Sequence, residues 1–361
     1  MAAPPPHLDR LVDAQSLPVG TLRTAHVALR SVRHGTDRNG EGYFDLVVGD
    51  TSARMPAKIW GDTKAYAEAT QAKLSEIGQQ GGAVLKLMFS VGSYRDAIQL
   101  TVTRLRVLGE SDEWTPDAIW GPGWERIEDL RCKTLVFDIE TVPAIDLSAE
   151  PEAIARAVSK AAERMQGDTD KAMGLSPYFG KVVSIAIGEG DGDDSETETP
   201  VTVLAVAPPG REDAEYPPWI RIMSEAELLR SFWHLADSAE LVVSYNGRGF
   251  DVPFLQVRSL VHGVPARVDL LSSPYSLRPH LDLFRLLGSG RFGPGATSLD
   301  VVCWALGIQS PKDEMDGSMV GPAYARGELE MIAAYNAKDV RATTRVYHHL
   351  REHLLPFRND W

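Results

Sequence analysis

Four short apolar runs, at residues 134–137, 182–187, 201–206 and 241–244, limit the possible architecture more than any other pattern in the chain. Runs of this length without polar alternation read as strands buried on both faces, which calls for a sheet covered by helices. The intervals supply the helices: apolar residues recur at helical spacing over 225–236, 253–261, 298–306 and 328–349. An α/β domain with a mixed central sheet and flanking helices is expected.

The residues before this domain are patterned differently. Alternating apolar and polar residues predict strands over 21–32, 43–48, 53–60, 83–91 and 97–107, with breaks at HGTDRNGEG, at Gly49-Asp50-Thr51 and at SYRD. Between the third and fourth strands, Asp62 or Thr63 can cap a helix over 64–77 that Gly78 and the Gly81-Gly82 pair would end. Three strands, a helix and two strands is the order of the five-stranded, all-β OB-fold barrel, and DLVVGDTSARMPAKIWGD resembles the second and third strands of nucleic-acid-binding OB domains. The expected organisation is a flexible N-terminus over 1–18, the barrel over 19–109, a linker over 110–131 and the α/β domain over 132–361. Trp114, Trp120 and Trp124 in the linker are expected to pack between the domains.

Charge separates the two parts. Of 37 basic and 50 acidic side chains, residues 1–110 hold 13 and 11, leaving 24 and 39 for residues 111–361, a balance of −15 within a net −13. Net acidity argues against a nucleic-acid partner, but the near-neutral first part leaves that role open to the barrel. The run DGDDSETE at 191–198 reads as a solvated loop. Cys132 and Cys303, the two cysteines, are too few for a disulfide framework or a cysteine-rich zinc site. With no apolar run near the ~18 residues of a membrane span and no signal-peptide core, a cytoplasmic protein without a membrane partner is expected. No strand leads into GxGxxG and no HExxH occurs, which weighs against dinucleotide and zinc-hydrolase chemistry.

Three motifs carry chemistry. In KTLVFDIET, Asp138 and Glu140 are two apart on a strand, so both carboxylates share a face. Like charges crowded there are costly unless a cation holds them, which suggests metal ligands. In SYNGRGFDVPFL, Asp251 follows a strand and a glycine-containing turn; it could equally cap a helix beginning at Pro253. In YNAKDVRAT, Tyr335 and Asp339 are four apart on a helix, stacking a phenol and a carboxylate on one face. In the barrel, Tyr43, Phe44, Trp60, Phe89 and Tyr94 are the rings available to stack on bases, with Tyr43 and Phe44 facing opposite ways. Arg33, Arg38, Lys58, Lys86 and Arg95 could follow phosphates.

Taken together and in this order, Asp138, Glu140, Asp251 and Asp339 with Tyr335 resemble the DEDDy 3′-5′ exonucleases of the DnaQ-like, ribonuclease H fold superfamily. FDIET, YNGRGFDVP and YNAKDV look most like the exonuclease domains of family B DNA polymerases, and in particular their free-standing bacterial relatives. HLDLFRLL and SLDVVCWALGIQSPKDEMDGSMV also look like that subgroup, so the resemblance runs from about Lys133 to the end. It implies a ribonuclease H-like domain that holds two divalent cations, Mg²⁺ or Mn²⁺, and releases nucleoside monophosphates from the 3′ end of single-stranded DNA, in a setting such as DNA repair. By the resemblance, Asp138 would bridge the metals, Glu140 and Asp339 would help hold the one beside the nucleophile, and Asp251 would act at the other. Tyr335 would orient or help deprotonate the attacking water, chiefly the former because a phenol of pKa near 10 is a poor base, and Thr141, Asn246 and Phe250 would meet the terminal nucleotide, though each could equally be a turn former or core residue. His280 and Asp282 read as structural. The alternatives are an exoribonuclease acting on RNA and a catalytically inactive single-strand-binding protein.

Overall fold

The computed structural model describes residues 4–80, 82–95, 97–109, 111–192, 200–272, 276–288, 297–309 and 315–361. They form two compact units, Met1–Glu128 and Asp129–Trp361.

In the first unit, β1 (Leu22–Thr36), β2 (Gly42–Gly49), β3 (Arg54–Trp60), β4 (Val84–Tyr94) and β5 (Ala97–Val107) close into a barrel of order β1-β2-β3-β5-β4. This is the OB fold. Closure rests on β1, which pairs with β4 over Leu22–Ala28 and with β2 over Ala28–Thr36, bending at an irregularity between Leu29 and Ser31. Alternation sends Val27, Phe44, Leu46, Ile59, Leu87, Phe89 and Leu100 into one core. The first strand runs four residues past its expected end. Gly35 continues it because the Tyr43 ring lies where a Cβ would stand, and the turn itself is made by Asp37, whose Oδ1 accepts from the backbone N–H of Asn39 and Glu41.

The single helix expected over 64–77 is instead a pair, α1 (Lys64–Gln71) and α2 (Leu74–Gln80), separated at Lys73, which takes φ +50°. Thr63 caps α1 by accepting from Tyr66 N–H. Gly78 does not end the helix; it lets α2 approach β1 so closely that a Cβ would fall 2.1 Å from Val32 Cγ1. Gly81 lies outside the described residues. The segment expected to be a flexible N-terminus also carries structure, since Leu11 and Ala14 join the barrel core and Leu11 N–H donates to the buried Asp50 carboxylate at 2.6 Å. Most of the expected linker belongs to this unit: α3 (Pro116–Ile119) lies within it, Trp120 stacks on Trp124 with centroids 4.7 Å apart, and the Arg30 guanidinium lies over Trp120.

The second unit is a six-stranded mixed sheet of order β11-β10-β6-β7-β8-β9, from β6 (Thr134–Pro143), β7 (Gly180–Glu189), β8 (Val201–Ala205), β9 (Ile220–Ile222), β10 (Leu241–Ser244) and β11 (His280–Asp282). Its helices are α4 (Glu152–Glu163), α5 (Thr169–Gly174), α6 (Glu225–Ser238), α7 (Asp251–His262), α8 (Leu283–Leu287), α9 (Leu299–Leu306), α10 (Val320–Ala325) and α11 (Leu329–His353). Helix α11 crosses one face of the sheet. It comes so close to β7 that a Cβ on Gly188 would meet Val340 Cγ1 at 2.7 Å. On the opposite face Phe137 packs on Phe232 of α6, with centroids 4.7 Å apart; truncating such a buried ring to Ala costs about 3–5 kcal/mol. Glu225, at the start of α6, ties this side together by accepting from Val182 N–H and from both Nε and Nη2 of Arg258 on α7, each at 2.8–2.9 Å.

Candidate active site

The site grows from β6. Asp138 and Glu140 lie opposite Ala186 and Ser184 on β7 and share the face covered by α11, while Phe137 faces away. Helix α11 brings Asp339 to the same place, and carboxylate oxygens of Asp138, Glu140 and Asp339 all lie within 4.8 Å of one another. Among the described residues this is the one cluster placed to hold a metal ion. Asp251 joins from α7: its Oδ1 accepts from Ile139 N–H at 3.2 Å, between the two β6 carboxylates. It is the first residue of α7, with Phe250 at the cap position, and its carboxylate bonds to the strand and to its own backbone N–H.

Electrostatics mark these carboxylates. Burial first, then the neighbouring acids, push Asp138 and Glu140 well above the usual carboxylate range. Burial also pushes Asp251 up to about 7, against the lowering effect of its backbone hydrogen bonds. Tyr335, one turn before Asp339, is buried and hydrogen-bonded to it; desolvation and the surrounding carboxylates drive its phenol far above the usual value. Crowded oxygen donors that resist sharing negative charge suit hard divalent cations.

The turn that delivers Asp251 is clamped by β11. Asp282 accepts from the backbone N–H groups of Asn246 and Arg248, at 3.1 and 3.0 Å, and from Arg285 N–H at 3.2 Å. Ser244 Oγ accepts from Gly247 N–H and so turns its proton to His280 Nε2, 2.7 Å away. His280 Nδ1–H then donates to Leu270 C=O at 3.2 Å. That places His280 as a neutral imidazole, and burial lowers its pKa to about 3. Asn246 takes φ +65°, a conformation Asn tolerates. A Cβ on Gly247 would fall 2.2 Å from Ser244 Oγ, and one on Gly249 2.5 Å from Asn246 Oδ1. The sequence marks His280 and Asp282 only as structural residues and carries no signal of the turn they hold.

Thr141 follows an irregularity in the β6–β7 ladder and donates its hydroxyl to Gly174 C=O at 2.7 Å. Phe250 precedes α7 and lies against Phe254. Asn336, next to Tyr335, was not singled out from sequence; it is buried and donates to Ser184 Oγ at 2.9 Å, fixing α11 against the strand beside Glu140. In the barrel, Tyr43, Trp60, Lys58 and Arg33 come together on the outer face of β1, β2 and β3. Lys86 does not join them, because it lies on β4 between His26 and Arg106.

Residues 175–356 match a family model described as a predicted 3′-5′ exonuclease related to the exonuclease domain of PolB. The matched span includes Asp251, Tyr335 and Asp339 and begins after β6. The catalytic polypeptide of DNA polymerase epsilon from Saccharomyces cerevisiae is 30% identical over 146 residues, which are 37% of this chain and 6% of that protein. Among solved structures, the family B DNA polymerase of Pyrobaculum calidifontis is similar at 15% identity and a TM-score of 0.40, over 90% of this chain and 46% of that one. The second OB-fold domain of replication protein A from Methanococcus maripaludis is similar at 12% identity and a TM-score of 0.20, over 27% of this chain and 93% of that one. The chain thus spans a small fraction of the yeast polymerase and less than half of the archaeal one. On the match across half its length, the chain belongs to the family of 3′-5′ exonucleases related to the exonuclease domain of PolB.

Proposed function

We propose that the protein is a metal-dependent 3′-5′ exodeoxyribonuclease of the DEDDy kind, acting on single-stranded DNA that the barrel captures. The observation that carries this reading is the meeting of Asp138, Glu140 and Asp339, from a strand and a helix remote in sequence, within 4.8 Å. Two Mg²⁺ or Mn²⁺ ions held by Asp138, Glu140, Asp251 and Asp339 would supply compensating charge and Lewis acidity at the scissile phosphate.

The remaining tasks fall to the chain. Water attacks phosphorus, the bond to the 3′ oxygen breaks, that oxygen gains a proton and a nucleoside 5′-monophosphate leaves. Burial and the acids around it raise the Tyr335 pKa above the usual phenol value, which favours orienting the water as a hydrogen-bond donor over acting as base. Asn246, Phe250 and the backbone of Thr141 hold the terminal nucleotide. On the barrel, Tyr43 and Trp60 stack bases while Arg33 and Lys58 meet phosphates.

The test is a denaturing-gel time course with matched 5′-labelled single-stranded DNA and RNA in Mg²⁺, Mn²⁺ or EDTA, with wild type beside Asp138→Ala. The expected result is a ladder shortening from the 3′ end of DNA, lost in EDTA and in the variant. A ladder on RNA alone would make the enzyme an exoribonuclease. Intact strands under every condition would leave a binding protein.

A further inference from the structure

The register of three barrel strands sets five side chains together on one outer face. Arg33 on β1 stands opposite Asp45 on β2, Asp45 stands opposite Lys58 on β3, and Tyr43 stands opposite Trp60. The two rings have centroids 6.3 Å apart, and the Lys58 ammonium lies 3.7 Å from the Tyr43 centroid and 4.6 Å from that of Trp60. Asp45 holds both cations: Oδ1 accepts from Lys58 Nζ at 2.9 Å and Oδ2 from Arg33 Nη2 at 2.8 Å. An anion between two cations, with aromatic faces alongside, is how a protein holds one phosphate of a single strand and its neighbouring bases. Here the anion belongs to the chain.

We propose that Asp45 stands where a backbone phosphate of the bound strand will go, so that binding exchanges its carboxylate for a phosphate at Arg33 and Lys58 and a base for Lys58 at the rings. This rests on the reading of the barrel as a single-strand-binding surface and adds to it a residue that opposes binding. The exchange can begin at the outer pair, where the Arg33 side chain is 75% exposed and that of Asp45 30%; Lys58, at 16%, is the more covered partner. An ion pair as open as Arg33–Asp45 is weak, and a strand making several other contacts can break it and then displace the carboxylate from Lys58. The competing account, in which Asp45 presets the two cations for phosphate, gives the opposite sign when the carboxylate is removed.

Equilibrium binding of the full chain to a fluorescent oligothymidylate, measured by anisotropy in EDTA at fixed salt, separates the two. The variants are Asp45→Asn, Lys58→Ala, Trp60→Ala, the Asp45→Asn/Lys58→Ala pair, and Glu76→Gln as a charge control from α2, where Glu76 pairs with Lys73. Asp45→Asn should tighten binding by about two- to tenfold, the size of releasing at least the exposed pair with Arg33. Glu76→Gln should not, and the gain should shrink in the Lys58→Ala background. Weaker or unchanged binding by Asp45→Asn, beside clear losses in Lys58→Ala and Trp60→Ala, would overturn the role of Asp45 and leave the barrel reading standing. No loss in Lys58→Ala or Trp60→Ala would remove the barrel reading and the inference with it.

Discussion

At the scale of single residues, the protonation behaviour of the carboxylates and of Tyr335 decides most of what the site can do. Tyr335→Phe removes a hydrogen-bond donor and no base, so single-turnover cleavage should fall by about ten- to a hundredfold without the pH profile of kcat moving. A loss as complete as that of Asp138→Ala would contradict a purely orienting phenol. The acids also predict a pH effect on the metal-free protein. Asp138, Glu140 and Asp251 have folded pKa values above their unfolded ones, so the native state holds more protons than the unfolded chain. Their contribution is present below the unfolded pKa near 4 and is lost as pH rises toward 7 and beyond. The Tm in EDTA should therefore be lower at pH 8 than at pH 6, and Mn²⁺ should raise it more at pH 8. A Tm gain from Mn²⁺ that is independent of pH would argue that the cluster is already compensated by the protein.

At the scale of elements, β11 holds the β10–α7 turn in its working shape. Asp282→Ala leaves three backbone N–H groups without their carboxylate, each such bond worth about 1.5–3 kcal/mol, and should lower both Tm and kcat. Gly247→Ala, placed against Ser244 Oγ, should do likewise. His280→Gln, which can keep one bond, should fall between wild type and these; equal activity in all three would deny the clamp. This device was hardly legible in the sequence. The strand HLD is too short for its periodicity to register, and most of its partners lie in a turn more than thirty residues away. By contrast β6 and α11 could be read, because the two carboxylates on one strand face and the phenol and acid one turn apart, neither telling alone, stand with Asp251 in one order along the chain. The break between α1 and α2 was missed for the opposite reason: Lys73 gives no local signal for φ +50°, and Gly78 reads as a stop although its lack of a Cβ serves the contact with Val32.

For the whole molecule, the proposed function assigns capture to the first unit and cleavage to the second. Cutting the chain should respect Glu128 rather than residue 110, since Trp120, Trp124 and Arg30 belong together in the first unit. A fragment starting at Asp129 should cleave a short oligonucleotide at a rate near wild type while losing processivity on long strands, as trap-chased gels would reveal. Undiminished processivity would strip the barrel of its role. The net charge of −13 is compatible with this proposal, because the acids concentrate beyond residue 110 and leave the barrel near neutral. Among the described residues, no helix is long and apolar enough to cross a membrane. The meeting of β6 with α11 has a consequence for biosynthesis as well. Asp138 and Glu140 leave the ribosome long before Tyr335 and Asp339, so a half-made chain has no assembled centre. If the centre cleaves nucleic acid as proposed, the nascent chain is harmless to the cell's nucleic acids until α11 joins β6, and a proteolytic nick that frees α11 should abolish cleavage.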